Sequence, residues 1–374
     1  MTRILIAPNS FKECADSVTV ADLISSSLKE KADDFHLHPE LIVKPVSDGG
    51  DGFLEVCDNL FGLKIFTVKI PAPFNNVIVD CPLGYSSQKQ TVYIESAKVL
   101  GLNLIPLEKR HPLNLNSAGL GTLLNYLNKE KNDGRLNFNK VVIGIGGTGT
   151  TDFGIGMMAE LGLKLFDSYG NLLEPFPYNF SKTSKIVHEK TEQNFDVEVV
   201  ADVTIPLLGN KGTAKLFAKQ KGAAENEIEE LENGLQNIVR LLEPGYPLNL
   251  YGAGGGLAGA FQYFLNSEIK FADEFIKSDC GLNIQLKPDY VITGEGKYDY
   301  QTDLNKAIGV ILNEFSESGI PVFIICGKAE KTNPVKNIFV IELESFFGNK
   351  NESIQRFNEG ILKAAELILK KITE

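Results

Sequence analysis

Five short stretches of this sequence combine acids, lysines, hydroxyls and glycines in ways that suit chemistry on a phosphate group. The first is Ala7-Pro8-Asn9-Ser10-Phe11-Lys12, which sets an amide, a hydroxyl and an ammonium directly after a short apolar run. These groups suit the carboxylate of a small hydroxy acid or a phosphate. The alternative is a plain loop in which Ser10 caps a turn and Lys12 is solvated. The second, Ser47-Asp48-Gly49-Gly50-Asp51-Gly52, has two acids among three glycines, where an ordinary turn needs one Asp-Gly. Asp48 is placed either to hold Mg²⁺ or to take a proton from a substrate hydroxyl.

The third stretch runs from Val141 to Asp152 and contains Gly144, Gly146, Gly147, Thr148 and Gly149. Gly144, Gly146 and Gly149 fit G-x-G-x-x-G between an apolar run and a helical pattern, where backbone N–H groups and a helix dipole can meet phosphate. Asp167 lies near the spacing at which a dinucleotide fold places its ribose-binding acid, so a nicotinamide-dependent dehydrogenase is an open alternative. The motif is weak by itself, because Gly252 to Gly259 matches it loosely as well. In the fourth, Asp202 closes a short apolar run and either binds a ligand or caps a helix. Lys219 and Lys221 downstream read as ordinary surface charge. The fifth is Gly294-Glu295-Gly296-Lys297-Tyr298-Asp299 with Gln301 and, further on, Lys306. Glu295 between two glycines has no packing reason to be there. With Lys297, Asp299 and Lys306 it supplies the mixture of cation and metal-binding acid that phosphoryl transfer uses.

Elements of an α/β fold must position these groups. Strands are expected at Arg3–Pro8, Leu41–Val46, Lys64–Ile70, Val77–Cys81, Thr91–Glu95, Val141–Ile145, Val197–Val200, Tyr290–Thr293, Val322–Cys326 and Ile338–Ile341. Several are apolar on both faces, as a parallel sheet covered by helices requires. Between them, stripes at helical period, such as Leu120, Leu123, Leu124 and Leu127, read as core. In open sheets of this kind, ligands bind at the carboxyl ends of strands, where all five stretches fall. Proline- and glycine-rich punctuation at Pro71–Pro73 and Gly281–Pro288 suggests two crossings. The division expected is residues 1–70 with 287–374 as one discontinuous domain and 71–286 as an inserted one.

Composition excludes other classes. The net charge of -11 repels the phosphate backbone of nucleic acid and anionic lipid alike. The 374 residues suit two domains, and no apolar run is long enough to span a membrane. Five widely spaced cysteines without C-x-x-C point to reduced thiols in a cytoplasm. His36 and His38 have no thiol or carboxylate at zinc spacing and read as structural or solvated. There is no G-x-x-x-x-G-K-[ST], no H-R-D or D-F-G, and no G-x-S-x-G, which removes P-loop enzymes, protein kinases and the common serine hydrolases.

Taken together and in order, the five stretches resemble the bacterial-type glycerate kinases. The likeness runs from Ile4 almost to the C-terminus and includes Tyr93-Ile94-Glu95-Ser96-Ala97, the region from Asn114 to Gly121, and Gly327-Lys328. Each motif is modest alone; the ordered set is specific. The resemblance implies two three-layer α/β domains, one Rossmann-like with a parallel sheet and the other inserted in sequence, with substrates in a cleft. It implies transfer of the ATP γ-phosphoryl group to D-glycerate with Mg²⁺, giving phosphoglycerate, in this branch 2-phosphoglycerate. Homo-oligomerisation is left open, as is a non-catalytic ligand-binding relative. Asp48, Lys12, Asp202 and Glu295 are the catalytic candidates, with Mg²⁺ falling to Asp48, Asp202 or Glu295. Asn9, Ser10, Gly49, Gly50, Gly146, Gly147, Thr148, Gly149, Asp152, Gly294, Lys297, Asp299, Gln301 and Lys306 are candidates for binding substrate or phosphate. The sequence departs from the family pattern in places. Asn9 stands where the family usually reads Asp, and Glu13 and Cys14 replace a Gly-Ser pair. Thr151 and Phe153 replace Asn and Gly beside Asp152, Ile205 replaces a common Asn, and Asn305 replaces a Gly before Lys306.

Overall fold

The computed structural model describes residues 2–74, 77–189, 191–242, 249–299, 306–330 and 336–374. Two compact units form: Met1–Leu60 with Phe271–Glu374, and Phe61–Lys270. The chain opens in the first with β1 (Arg3–Ile6), α1 (Ser17–Ala32), β2 (Glu40–Val43) and α2 (Phe53–Phe61). The second unit begins with β3 (Lys64–Pro71), β4 (Ile78–Ser86), β5 (Thr91–Glu95), α3 (Ala97–Leu100), α4 (Ala118–Asn132), β6 (Lys140–Gly144) and α5 (Ile155–Glu160). It continues through β7 (Leu163–Phe166), β8 (Leu172–Leu173), β9 (Lys185–His188), β10 (Asp196–Ala201), α6 (Thr213–Phe217), α7 (Glu225–Arg240), α8 (Leu257–Leu265) and β11 (Glu268–Phe271). The first unit is completed by α9 (Ala272–Ser278), β12 (Tyr290–Tyr298), α10 (Ala307–Ile311), β13 (Val322–Ala329), β14 (Ile338–Glu342), α11 (Lys350–Gln355) and α12 (Phe357–Thr373).

All ten expected strands form. The four that sequence periodicity misses, β7, β8, β9 and β11, have at most four residues each, too few for alternation to show. The crossings also lie earlier than the punctuation suggests. β3 pairs with β4 from Lys64–Tyr85 to Pro71–Ile78, so it belongs to the second unit rather than ending the first. The return falls at Phe271, and the stretch from Gly281 to Pro288 lies inside the first unit. Proline and glycine mark turns whether or not the chain changes domain there.

The sheet of the first unit has the order β14-β13-β12-β1-β2, with every neighbouring pair parallel. Counted within the unit, this is the doubly wound order 2-1-3-4-5, whose switch point lies between β1 and β12. One face packs Ile4, Ile6, Ile292 and Ile325 against Val20, Ile24 and Leu28 of α1 and Ile361, Ala365 and Ile368 of α12. Leu5, Val291 and Ile324, which alternate with these residues, are fully buried as well, so both faces are covered. The second unit has the order β11-β10-β6-β5-β4-β3, with β10, β6 and β5 parallel and β4 and β3 antiparallel. A small sheet, β8-β7-β9, adjoins it in sequence.

One element departs from expectation at a functional stretch. β12 does not stop at Thr293 but continues through Gly294, Glu295, Gly296 and Lys297, pairing Glu295 with Cys326 and Lys297 with Lys328. A β-carbon on Gly294 would collide with the Ile325 carbonyl oxygen and lie 2.9 Å from Cζ of Phe11. The glycine thus marks a close approach of the β1 turn over a continuing strand, a use that sequence reading mistakes for a loop. Gly294→Ala should therefore lower stability by about 1–3 kcal/mol through overpacking. Urea unfolding reads this directly, and an unchanged midpoint would show that Phe11 moves aside at no cost.

Candidate active site

In the first unit the turn after β1 is tied to the turn after β2. Val46 N donates to Pro8 O at 3.1 Å, and Asn9 N donates to Gly294 O at 2.9 Å. The Asn9 side chain is fixed on both sides: Oδ1 accepts from Ser10 N at 2.8 Å and from Ser17 Oγ at 3.5 Å, while Nδ2 donates to Asp48 Oδ2 at 3.3 Å. Asp48 Oδ1 accepts from Gly50 N at 3.2 Å, and Ser47 Oγ accepts from Gly49 N at 3.1 Å. Asn9 and Asp48 are 7% and 8% exposed. Neutral donors hold the carboxylate and leave lone pairs for a cation or a proton. Lys12 is exposed and stands 3.5 Å from Asp51, a surface pair that contributes little to stability and leaves the ammonium mobile.

The other candidates of this unit lie along β12 and beyond. Glu295 is half-buried and sits in register with Cys326. Lys297 is bound to Glu330 at 2.9 Å and Asp299 at 3.2 Å; hydrogen bonds to these two acids hold its ammonium above the usual lysine range. Lys306 occupies the N-cap position of α10. Gln301 lies outside the described residues.

In the second unit the carboxyl ends of β5, β6 and β10 lie side by side, with Glu95 and Val200 both in register with Gly144. Glu95 is buried, and Lys98 approaches it at 3.6 Å. The loop after β6 is held by Gly149 N donating to Leu100 O at 2.7 Å and Leu102 N donating to Gly147 O at 3.1 Å. Thr148, Thr150 and Thr151 keep buried hydroxyls without a hydrogen-bond partner among the described residues. Asp202 follows β10 directly and is half-buried.

Two candidates turn out differently from the sequence reading. Asp152 is fully buried and accepts from Gly154 N at 3.3 Å, Gly156 N at 3.0 Å, Ser117 N at 2.8 Å and Ser117 Oγ at 2.7 Å. Burial pushes its carboxyl upward against these four bonds. Its oxygens join the starts of α4 and α5 rather than facing a ligand. Lys221, read as surface charge, is 4% exposed, and its Nζ donates to Thr150 O at 2.7 Å. Burial lowers the ammonium to about 8, with Asp202 and then Asp152 opposing that shift. Ser17, Glu95 and Ser117 were also not chosen from the sequence; a lone serine or acid carries no spacing signal, although the Asn114–Gly121 region as a whole did.

The same geometry removes the dehydrogenase alternative. No helix opens at Gly149. α5 begins at Ile155, has six residues, and already has its first amides occupied by Asp152. Asp167 closes the β7–β8 turn, accepting from Tyr169 N at 2.9 Å and Asn171 N at 2.8 Å.

Glycine turns, buried carboxylates and lysines at the ends of parallel strands are groups that suit phosphate-bearing small molecules. A sequence model of the glycerate kinase family matches residues 4–373. A glycerate kinase from Neisseria meningitidis serogroup B is 30% identical over 98% of this chain and 95% of its own. A glycerate 2-kinase from Escherichia coli K12 is 31% identical over 87% and 85%. A crystal structure from Salmonella typhimurium LT2, described as a candidate glycerate kinase 2, is similar with a TM-score of 0.75, 28% identity, and coverage of 99% and 98%. The chain belongs to the glycerate kinase family and is thus a phosphotransferase with an alcohol group as acceptor.

Two outcomes test this geometry. In Asn9→Asp, the donor to Asp48 becomes a second carboxylate at the same short distance, and both cannot ionise freely. The acid limb of the kcat/KM profile should move to higher pH; an unmoved limb would show that Asp48 does not govern it. For Lys221, the unfolded chain holds its proton to about pH 10.5 and the folded protein only to about 8. The unfolded state therefore binds more protons in that window, and stability should rise with pH across it. Lys221→Met should lose that rise; parallel stability profiles from pH 7 to 10 would contradict it.

Proposed function

We propose that this protein transfers the γ-phosphoryl group of ATP to a hydroxyl of D-glycerate, with 2-phosphoglycerate as product. The observation that carries the reading is Asp48. It is a buried carboxylate in the turn after β2 of a doubly wound sheet, held by the Asn9 amide and the Gly50 N–H. A carboxylate so held can accept the proton of an attacking hydroxyl or anchor a cation, and the enzyme class needs one of these. Ser10 and Lys12 suit the acceptor's carboxylate or the transferred phosphate, and Gly49 and Gly50 let the backbone come close to it. In the second unit, Gly146 to Gly149 and the threonine hydroxyls beside them suit nucleotide phosphates, with Asp202 as a further acid. Glu295 supplies another carboxylate, and Lys306 or Lys297 offsets developing charge.

The acids also suit Mg²⁺. Among the described residues no three acids, cysteines or histidines cluster, and Mg²⁺ characteristically takes one or two carboxylates and completes its shell with phosphate oxygens and water. Asp48, Asp202 and Glu295 are the acids from which one or two such ligands would come; the ion when bound neutralises triphosphate charge. A cytoplasmic setting fits the five unpaired cysteines, four of them buried. Among the described residues no helix is long and apolar enough to cross a membrane.

The test is turnover of D-glycerate with ATP and Mg²⁺, with the phosphate position read by phosphorus NMR and EDTA abolishing the reaction. Folded protein that yields no phosphoglycerate would refute the proposal, and a 3-phosphoglycerate signal would correct the product. Asp48→Asn keeps the shape of the turn and removes the charge. It should cut kcat by roughly 10²-fold or more with little change in melting temperature. A near-normal kcat with a lowered melting temperature would make Asp48 a purely structural residue.

A further inference from the structure

The β6 loop is restrained from several sides, and one restraint is a charge. Gly149 N and Gly147 O are bonded to Leu100 and Leu102, and Phe153 N donates to Gly255 O at 3.1 Å. Between these ties, the Thr150 carbonyl is wedged. Gly255 sits against it at φ +71, so close that a β-carbon would collide with the oxygen. From Lys221, Nζ reaches the same oxygen at 2.7 Å. A short turn presents this lysine: Lys221 N donates to Ala218 O at 3.0 Å, and Gly222 N to Lys219 O at 3.1 Å. Gly222 follows at φ +99, where any β-carbon would run into the Arg110 carbonyl.

We infer that Lys221 is a positioning residue of the phosphoryl-transfer site, holding the loop from Gly146 to Asp152 in its phosphate-binding shape through the Thr150 carbonyl. A neutral donor would satisfy that carbonyl as well, whereas a buried ammonium is costly to desolvate. What the charge adds is electrostatic attraction to Asp202, just past the end of β10, and to Asp152, at the end of the loop. It therefore ties two neighbouring strand ends to one cation, and both ends carry candidates for the reaction. The ammonium is buried and already bonded, so it acts through the loop and does not touch substrate. The inference rests on the kinase reading for what the loop does, and on the geometry alone for how it is held.

The experiment compares wild type with Lys221→Met and Lys221→Gln. Lys221→Met should raise KM for Mg·ATP at least tenfold while leaving KM for glycerate within twofold. Lys221→Gln, which keeps an N–H donor for Thr150, should recover most of the lost nucleotide affinity. Calorimetric binding of a non-hydrolysable ATP analogue with Mg²⁺ should show the same order without turnover, and near-ultraviolet circular dichroism checks that each variant is folded. Equal changes in both KM values, or none, would overturn the inference while leaving the kinase reading intact. Should Lys221→Met fail to fold, Lys221→Ala takes its place: a loss of nucleotide affinity of tenfold or more that Lys221→Gln largely restores supports the inference, and equal affinity in the two variants overturns it. Wild type that binds the analogue but never phosphorylates glycerate sinks only the kinase reading, and the binding order of the variants still decides. Wild type that binds no nucleotide overturns both.

Discussion

In each unit, at the carboxyl ends of its parallel strands, main chain lies against main chain with no room for a β-carbon, and the candidate residues of that unit depend on the approach. In the first unit, Gly294 lets the turn carrying Asn9, Ser10 and Phe11 settle over β12, and the bond from Asn9 N to Gly294 O fixes its height. In the second, Gly255 takes the Thr150 carbonyl against its own backbone. A turn pressed onto a strand this way has few alternative positions, which is what catalytic groups on loops need in order to act without reorganising. The cost is a row of polar backbone groups brought indoors, and each unit meets it with a buried side chain that hydrogen-bonds them: Asp48 in one, Asp152 and Lys221 in the other.

This division of labour explains what could be read in advance. Strands such as Thr91–Glu95, all buried, announce themselves by apolar runs, and α4 by its leucine stripe, because burial dictates residue type directly. Three of the five stretches, those around Gly49, Gly146 and Gly294, are visible for a related reason: composition does not force glycine to collect at strand ends. Their meaning was less visible. Gly294 and Gly296 read as loop residues yet lie within a strand, since close packing and a turn ask for the same residue.

The roles of buried charges were the least legible. Lys219 and Lys221 are two residues apart in one basic cluster, and the first pairs with Glu225 at the surface while the second is buried against Thr150. Nothing local distinguishes them; the difference arises from a carbonyl 71 residues away. Asp152 likewise looked like a ligand because it follows a glycine loop, whereas its four donors come from two helix starts that only the tertiary fold brings together. Partners distant in sequence leave no periodicity, so such residues surface only when the strands are aligned.

The departures from the family pattern acquire physical content from the same geometry. Phe153 stands where the family reads glycine and keeps a positive φ of 51°, an unfavourable conformation for an aromatic residue. Its ring is fully buried, 6.1 Å from that of Phe264, so apolar burial offsets the strain and the loop retains its glycine-like path. Asn9 works in the opposite direction. An aspartate there would set two carboxylates a hydrogen-bond length apart, a pair stabilised by a shared proton or a bound cation. The amide instead donates to Asp48 and accepts from Ser10 and Ser17, so the turn is held together with one negative charge fewer. For a site that receives an anionic small molecule, one carboxylate fewer lowers the repulsion to be overcome, and Asp48 is left as the single acid of the pair.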